Sequence, residues 1–361
     1  MISQDGIKCN FISMILADEQ WHELARMLAS RGDRQSDASI RYPARLSHDP
    51  LVRRAQLSTA VELVGFTETE INECRRNTLY LPSADLAPTI RATGDLAEIA
   101  RCAIALVVTP AQHTANILGR LPSMPRDLVL CSKGIEAGTG KLMSDIASEA
   151  APGSDIAVLS GPTFAHEVAA GLPTAVTLAC GGGEAQWERL APHIARPSFR
   201  PYYSEDVVGA EIGGAVKNVL AIACGVIEGL QLGQNARAAL IARGYAEMLR
   251  FGESLGAQRD TLAGLCGMGD LVLTCSSTSS RNFSLGKALG EGHDPAELMA
   301  NRSTVAEGAY TAPVLVELAA RQGVAMPIVN AVHRLLSGEP ARTVVNDILS
   351  RPLRPEQGNP E

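Results

Sequence analysis

A lysine stands inside the otherwise apolar, small-residue segment GAVKNVLAIACGVIEGLQLGQN, which runs from Gly214 to Asn235. Only Lys217 and Glu228 carry charge in it, and a helix of this composition has to be buried by other elements on all sides. Burying an ammonium is unfavourable unless it has a partner or a task. Desolvation also lowers a lysine pKa towards neutrality, which suits a general acid or base. Gly213, Gly214 and Ala221 lie three to four residues from Lys217 and share its helical face. Such small neighbours leave room for a ligand to reach the amine. The alternative is a lysine that reaches solvent along its own stem.

The 361 residues suffice for about two domains and a sizeable core. With 46% apolar and 20% charged residues the chain is an ordinary folded one, not a disordered one. A net charge of −7 argues against nucleic acid as a partner, so an anionic ligand needs a local cluster of cations and backbone N–H groups. The eight cysteines, from Cys9 to Cys275, form no C-x-x-C pair, which argues against a zinc ribbon and a disulfide framework. A reduced, cytoplasmic setting is the simplest reading. The histidines show no metal-ligand spacing, so no metal is expected. No apolar stretch reads as long enough to span a membrane, and MISQDGIKCN lacks the pattern of a secretory signal.

From about residue 61 to 203, short apolar runs alternate with helical patterns. Val61 to Phe66, Ile104 to Thr109, Leu128 to Cys131, Ile156 to Leu159, Ala175 to Ala179 and Phe199 to Tyr203 read as strands. Near-continuous apolar runs suit strands covered on both faces, the parallel-sheet pattern. Helical segments between them include Ala111 to Leu121 and Lys141 to Glu149. The class is α/β, a Rossmann-like doubly wound sheet. After residue 206 apolar residues recur at helical spacing over Val207–Leu232, Ala236–Phe251, Phe283–Leu289, Ala312–Gln322 and Ile328–Leu336, which predicts an all-helical C-terminal domain. The domain scheme is 61–205 for the sheet, 206–345 for the helices, and 346–361 for a polar, proline-rich, disordered tail.

Polar residues collect where these strands end. Lys133, in CSKGIE, is either a solvated loop lysine or one that faces an anion. Gly161 and Pro162, in SGPTFAHE, suit a turn into a helix whose N-terminal N–H groups can bind an anion. Asp270, in GLCGMGDLVLT, is either a helix N-cap, a ligand for hydroxyls, or a charge that holds Lys217. Arg281 offers a planar fork for phosphate, with Ser280 and Asn282 as further donors. Gly138 to Lys141 departs from a phosphate-binding P-loop, since Ile135 and Leu142 stand where Gly and Ser/Thr are needed.

The Gly214–Asn235 run, with S-K-G-I-E, G-P-T-F-A, G-x-G-D-L-x-x-T, S-R-N and V-A-E-G, resembles the NAD(P)-dependent glycerol-3-phosphate dehydrogenases of bacterial type over about residues 61 to 345. The resemblance implies interconversion of dihydroxyacetone phosphate and sn-glycerol 3-phosphate for phospholipid synthesis, with NADP or NAD as cofactor. It gives Lys217 the handling of the substrate hydroxyl proton. It implies that Lys133, Gly161, Thr163, Lys217, Asp270, Ser280, Arg281 and Asn282 bind substrate. It implies that Lys133, Ala165, Arg281, Val305 and Glu307 contact the cofactor. His166 is read as a surface residue. The family commonly forms dimers, which implies a homodimer.

The start of the chain departs from this pattern. A domain of this kind opens with a strand, then G-x-G-x-x-G, then a helix. If Val61–Phe66 is the second strand, the glycine loop belongs near residues 36 to 46, which read SDASIRYPARL. Seven arginines fall between residues 26 and 54, and residues 1–60 read as an anomalous segment in place of the first βα unit. A shifted reading frame or a wrong start over residues 1 to 58 would explain the abrupt return of family-like sequence at VELVGF. Met14 to Leu28 fits an amphipathic helix. Without the glycines, cofactor affinity is expected to fall, and the rival readings are a cofactor-deficient phosphate-metabolite binding protein or a related β-hydroxyacid dehydrogenase.

Overall fold

The computed structural model describes residues 12–16, 70–77, 85–88, 90–300 and 306–352. Six strands among them form one sheet in sequence order: β1 (Ile12–Leu16), β2 (Ile104–Val108), β3 (Asp127–Leu130), β4 (Asp155–Ser160), β5 (Thr174–Cys180) and β6 (Phe199–Ser204). Strand β2 shows why continuous apolar runs form this sheet. Ile104, Leu106 and Val108 pack on one face with Val129, Leu159 and Val176. Ala105 and Val107 pack on the other with Leu128, Leu130 and Val158. Side chains of alternate residues point to opposite faces, and here both faces are covered.

The sheet differs from the expected all-parallel pattern at one place. Strands β1 to β4 are parallel, as are β5 and β6, but β5 runs antiparallel to β4, with Ala157 opposite Cys180 and Ser160 opposite Thr177. The β4–β5 connection carries only a five-residue helix, Ala165–Ala169. Such a helix spans about 7.5 Å, against about 20 Å for a six-residue strand. The chain therefore re-enters the sheet from the end it left.

The start of the chain brings a second correction. Ile12–Leu16 is a strand, not part of a helix over Met14–Leu28, and it pairs in parallel with β2, Ile12 opposite Ile104. A five-residue, mostly apolar run is compatible with either period, and pairing with β2 decides between them. The residues that follow it in sequence, Ala17 to His22, include no glycine. They lie outside the described residues, as do residues 36–46, the predicted strand Val61–Phe66, and Val305.

Short helices link the strands: α1 (Leu96–Ile99), α2 (Thr114–Gly119), α3 (Met143–Ala150), α4 (Ala165–Ala169) and α5 (Gly183–Ile194). From Val207 on, every described element is helical: α6 (Val207–Gly229), α7 (Gly233–Ser254), α8 (Arg259–Ala263), a π-type turn (Leu265–Gly269), α9 (Asp270–Thr274), α10 (Arg281–Gly290), α11 (Pro295–Ala300), α12 (Glu307–Arg321), α13 (Pro327–Leu336) and α14 (Ala341–Leu349). Helix α14 runs past the point where the sequence predicted a disordered tail, because Val344 packs into the helical core.

Helix α6 is the centre of this second layer. Asp206 caps it, accepting from the Gly209 N–H at 2.8 Å, and all residues from Gly209 to Ile227 are buried. Gly225 and Gly229 lie against α10 so closely that a Cβ on either would overlap the Phe283 or Lys287 carbonyl oxygen. Among the described residues, α6 is the one helix long and apolar enough to cross a membrane, contrary to the expectation that no stretch reaches that length. Its apolar window is wholly buried within the protein, which accounts for its composition.

Candidate functional site

Lys133 follows β3 and Gly161 follows β4, so both lie at the carboxyl end of the sheet, where open α/β sheets bind ligands. Helix α6 passes beneath them. A Cβ at Gly214, three residues before Lys217, would stand 3.4 Å from Lys133 Cγ and 3.2 Å from Ser160 Oγ, so a glycine here lets the helix approach the lysine stem. Gly213 does the same for the turn that leads to Asp270, since a Cβ there would lie 2.5 Å from the Cys266 carbonyl oxygen.

Two lysines share one carboxylate. Asp270 Oδ1 lies 2.6 Å from Lys217 Nζ, and Oδ2 lies 3.0 Å from Lys133 Nζ. The three side chains are 5%, 6% and 1% exposed for Lys217, Lys133 and Asp270, so the array is dry. Asp270 opens α9, but its carboxylate serves the lysines and the cap position belongs to Gly269. Lys217 also donates to Thr274 Oγ1 at 3.1 Å, and Thr274 donates to the Asp270 carbonyl at 2.6 Å. Lys133 Nζ lies 3.4 Å from the Gly161 carbonyl.

The electrostatics separate the two amines. Burial pushes the Lys217 pKa down to about 8, with Asp270 opposing and the Lys133 charge reinforcing the shift. Burial also lowers Lys133, but the charge and hydrogen bond of Asp270 outweigh it, and the net direction is up. A carboxylate cannot fully neutralise two ammonium groups, so one of them gives up its proton more readily. That one is Lys217. The reading in which it reaches solvent along its stem does not hold.

The other predicted substrate residues, except Gly161, converge here. Lys133, Thr163, Lys217, Asp270, Ser280, Arg281 and Asn282, with Glu307, line one pocket of about 20 Å³. Thr163 Oγ1 donates to the Gly161 carbonyl at 3.3 Å. Ser280 caps α10, its Oγ accepting from the Phe283 N–H at 3.3 Å, and Arg281 is the first residue of that helix. Asn282 Oδ1 accepts from the Gly308 N–H at 2.9 Å, which ties the start of α12, and so Glu307, to the start of α10. Ala165 is half-buried at the start of α4, and His166 is exposed beside it. Sequence reasoning assigned no role to Thr274 or Asn218, which line the same pocket. The signal for Thr274 was its place four residues after Asp270, on the same helical face.

A cleft of about 830 Å³ adjoins this pocket and shares Arg281 and Glu307 with it. Its other walls include Pro110 to His113, beyond the carboxyl end of β2, and Tyr310 and Thr311 of α12. Its size lies within the range of about 300–1,000 Å³ usual for ligand clefts. Position, size and the adjoining Lys133 fit a dinucleotide whose reactive end meets the pocket.

Comparison with known proteins gives two matching family profiles. Residues 57–186 match "NAD-dependent glycerol-3-phosphate dehydrogenase N-terminus" and residues 206–346 match the corresponding C-terminus. A glycerol-3-phosphate dehydrogenase (NAD(P)+) of Erythrobacter litoralis is 71% identical over 287 residues, covering 80% of this chain and 87% of the relative. One from Novosphingobium aromaticivorans is 70% identical over 288 residues, with the same coverage of 80% and 87%. The crystal structure of glycerol-3-phosphate dehydrogenase from Coxiella burnetii superposes with a TM-score of 0.82 at 32% identity, over 95% of this chain and 99% of that one.

Proposed function

Because the chain belongs to the NAD-dependent glycerol-3-phosphate dehydrogenase family, we propose that it interconverts dihydroxyacetone phosphate and sn-glycerol 3-phosphate with NAD or NADP. When bound, a reduced nicotinamide would supply the hydride for the ketone carbon. Lys217 gives its Nζ proton to the oxygen as negative charge develops there, and in the reverse direction the neutral amine takes the hydroxyl proton. A pKa of about 8 lets Lys217 serve both directions near neutral pH. Lys133 stays an ammonium and stabilises the same developing charge in a dry site. Asp270 holds both amines and leaves the array with a net positive charge.

Arg281 holds the substrate phosphate through its guanidinium fork, aided by the N-terminal end of α10. Ser280 keeps a hydroxyl proton, and Asn282 its amide N–H groups, for the same task. Gly161 and Thr163 position the three-carbon body. By the family resemblance, Lys133, Ala165, Arg281, Val305 and Glu307 would contact the cofactor, and the glycerol 3-phosphate formed by the reduction would supply phospholipid synthesis. The sheet and helical parts act as two domains, divided near residue 206, and the active form is a homodimer in the cytoplasm.

The observation that carries this reading is the buried Lys217–Asp270–Lys133 array in one pocket with Arg281. The test follows nicotinamide absorbance with dihydroxyacetone phosphate, unphosphorylated dihydroxyacetone and a β-hydroxyacid as substrates. Only the phosphorylated ketone should turn over well, and Lys217→Ala should abolish that turnover in a folded protein. Near-normal activity of Lys217→Ala, or indifference to the phosphate, would sink the assignment.

A further inference from the structure

Glu211 lies on α6, six residues before Lys217, and is 4% exposed. Its Oε1 accepts the Ser144 backbone N–H at 2.8 Å, and its Oε2 accepts the Ser144 hydroxyl at 2.5 Å. The first bond caps the first turn of α3, and the second ties the Ser144 side chain to the same carboxylate. Helix α3 has no capping side chain at its own cap position, which is Leu142. A Ser, Thr, Asp or Asn at that position would stabilise the helix by about 1 kcal/mol without burying a charge. The protein buries a carboxylate instead, and burial pushes the Glu211 pKa up to about 7 against the opposing pull of the Ser144 donors.

What this costlier cap adds is a tie between the two halves of the site. After Lys133 the chain makes a short tongue. Ile135 bridges Leu142, the Glu136 N–H donates to the Lys141 carbonyl at 3.0 Å, and the Gly140 N–H donates to the Glu136 carbonyl at 2.9 Å. The tongue runs straight into α3. Lys133 is thus fixed on one side by β3 and on the other, through the tongue and Ser144, by Glu211. Glu211 belongs to the helix that carries Lys217 and that lies against the Lys133 stem at Gly214.

We propose that Glu211 is a positioning residue that sets the spacing of the Lys133 and Lys217 amines across Asp270, an inference that rests on the site having the proposed function. Glu211 does not touch the reacting atoms. It acts through the placement of α6 against the strand end that carries Lys133.

The test uses Glu211→Gln, Ser144→Ala and Ser144→Thr in the full chain. Glu211→Gln keeps the volume but turns an N–H2 towards a Ser144 donor, Ser144→Ala removes one donor, and Ser144→Thr retains the hydroxyl. A displacement of about 1 Å at a reacting group lowers rates up to about 100-fold, so kcat of Glu211→Gln should fall by about 10- to 100-fold. The KM for dihydroxyacetone phosphate should change much less, since Arg281 is not moved. Ser144→Ala should lower kcat less, and Ser144→Thr should restore it, which a general loss of stability would not reproduce. The rate of Lys217 acylation against pH, read by mass spectrometry of the modified peptide, should shift in Glu211→Gln. That readout does not require turnover. If the unmodified protein fails to reduce dihydroxyacetone phosphate, the proposed function falls while the acylation profile still decides the role of Glu211. Wild-type kcat and an unchanged acylation profile in Glu211→Gln would overturn the inference. If Glu211→Gln does not fold, the Ser144 pair decides: equal kcat in Ser144→Ala and the wild type overturns it.

Discussion

Replacing Lys217 with methionine should abolish catalysis and yet stabilise the fold at neutral pH. The structure supplies the size of the effect. The Lys217 pKa is lowered from 10.5 to about 8, chiefly by burial. Each pKa unit is worth 1.36 kcal/mol, so holding this ammonium in the folded state costs about 3 kcal/mol. Removing one member of a buried ion pair usually destabilises because the other is orphaned. Here Asp270 keeps Lys133 at 3.0 Å, and Thr274 keeps its bond to the Asp270 carbonyl at 2.6 Å. The net gain for Lys217→Met should therefore be about 1–3 kcal/mol. Its pH dependence has a definite sign. Below about pH 8 both folded and unfolded states carry the proton, and the penalty is fully present. Between about 8 and 10.5 the unfolded state holds a proton that the folded state has lost, so wild-type stability rises with pH. Urea unfolding of both proteins at about pH 7 and about pH 10 should show the advantage of the variant shrinking at the higher pH. A variant less stable than wild type by about 2 kcal/mol at pH 7, or a difference indifferent to pH, would show that the amine is not held at a penalty.

Three further outcomes are expected. The kcat/KM for dihydroxyacetone phosphate reduction should fall as pH rises through about 8, while that for glycerol 3-phosphate oxidation should rise to a plateau over the same range; parallel profiles in the two directions would remove Lys217 as the proton carrier. The KM for NADPH should lie near the upper end of the usual range, about 1 mM, because no glycine follows β1 in Ala17–His22; a KM near about 1 μM would refute this. Gly225→Ala should destabilise by about 1–3 kcal/mol, since its Cβ would overlap the Phe283 carbonyl oxygen and stand 2.7 Å from the Lys287 nitrogen, whereas Gly119→Ala meets nothing within 4 Å; similar denaturation midpoints for the two variants would contradict the packing account.

The parts of the fold that could be read from sequence are those in which burial on every side leaves a plain trace. Strand β2 is apolar throughout, and β3 is apolar after Asp127, because both sheet faces are covered, and α6 is mostly apolar because it is buried along most of its length. The direction of β5 left no such trace, since an apolar run looks the same in either orientation and only the short α4 connection decides it. β1 was misread because ISMIL is too short to show a period and gains its conformation by pairing with β2, 92 positions away in the Ile12–Ile104 register. At the site, the motifs marked Lys217, Asp270 and Arg281, but not that Asp270 would be shared by two lysines, which depends on Gly213 and Gly214 letting separate segments approach. Glu211 escaped notice because a carboxylate acquires its meaning only from partners brought close by the fold, whereas the signal for Thr274, one helical turn after Asp270, was local.

The contact of α6 with α10 through Gly225, Gly229, Gly286 and Gly290 has a mechanical meaning. Backbone meets backbone there, with no pliable side chain between the helix that bears Lys217 and the helix that begins at Arg281. With Lys217 and Arg281 in their proposed roles, the two ends of the substrate would be gauged by a stiff calliper. A ketose phosphate one carbon longer could not be accommodated by yielding of the jaws, and a comparison of its turnover with that of the three-carbon substrate would measure that stiffness directly.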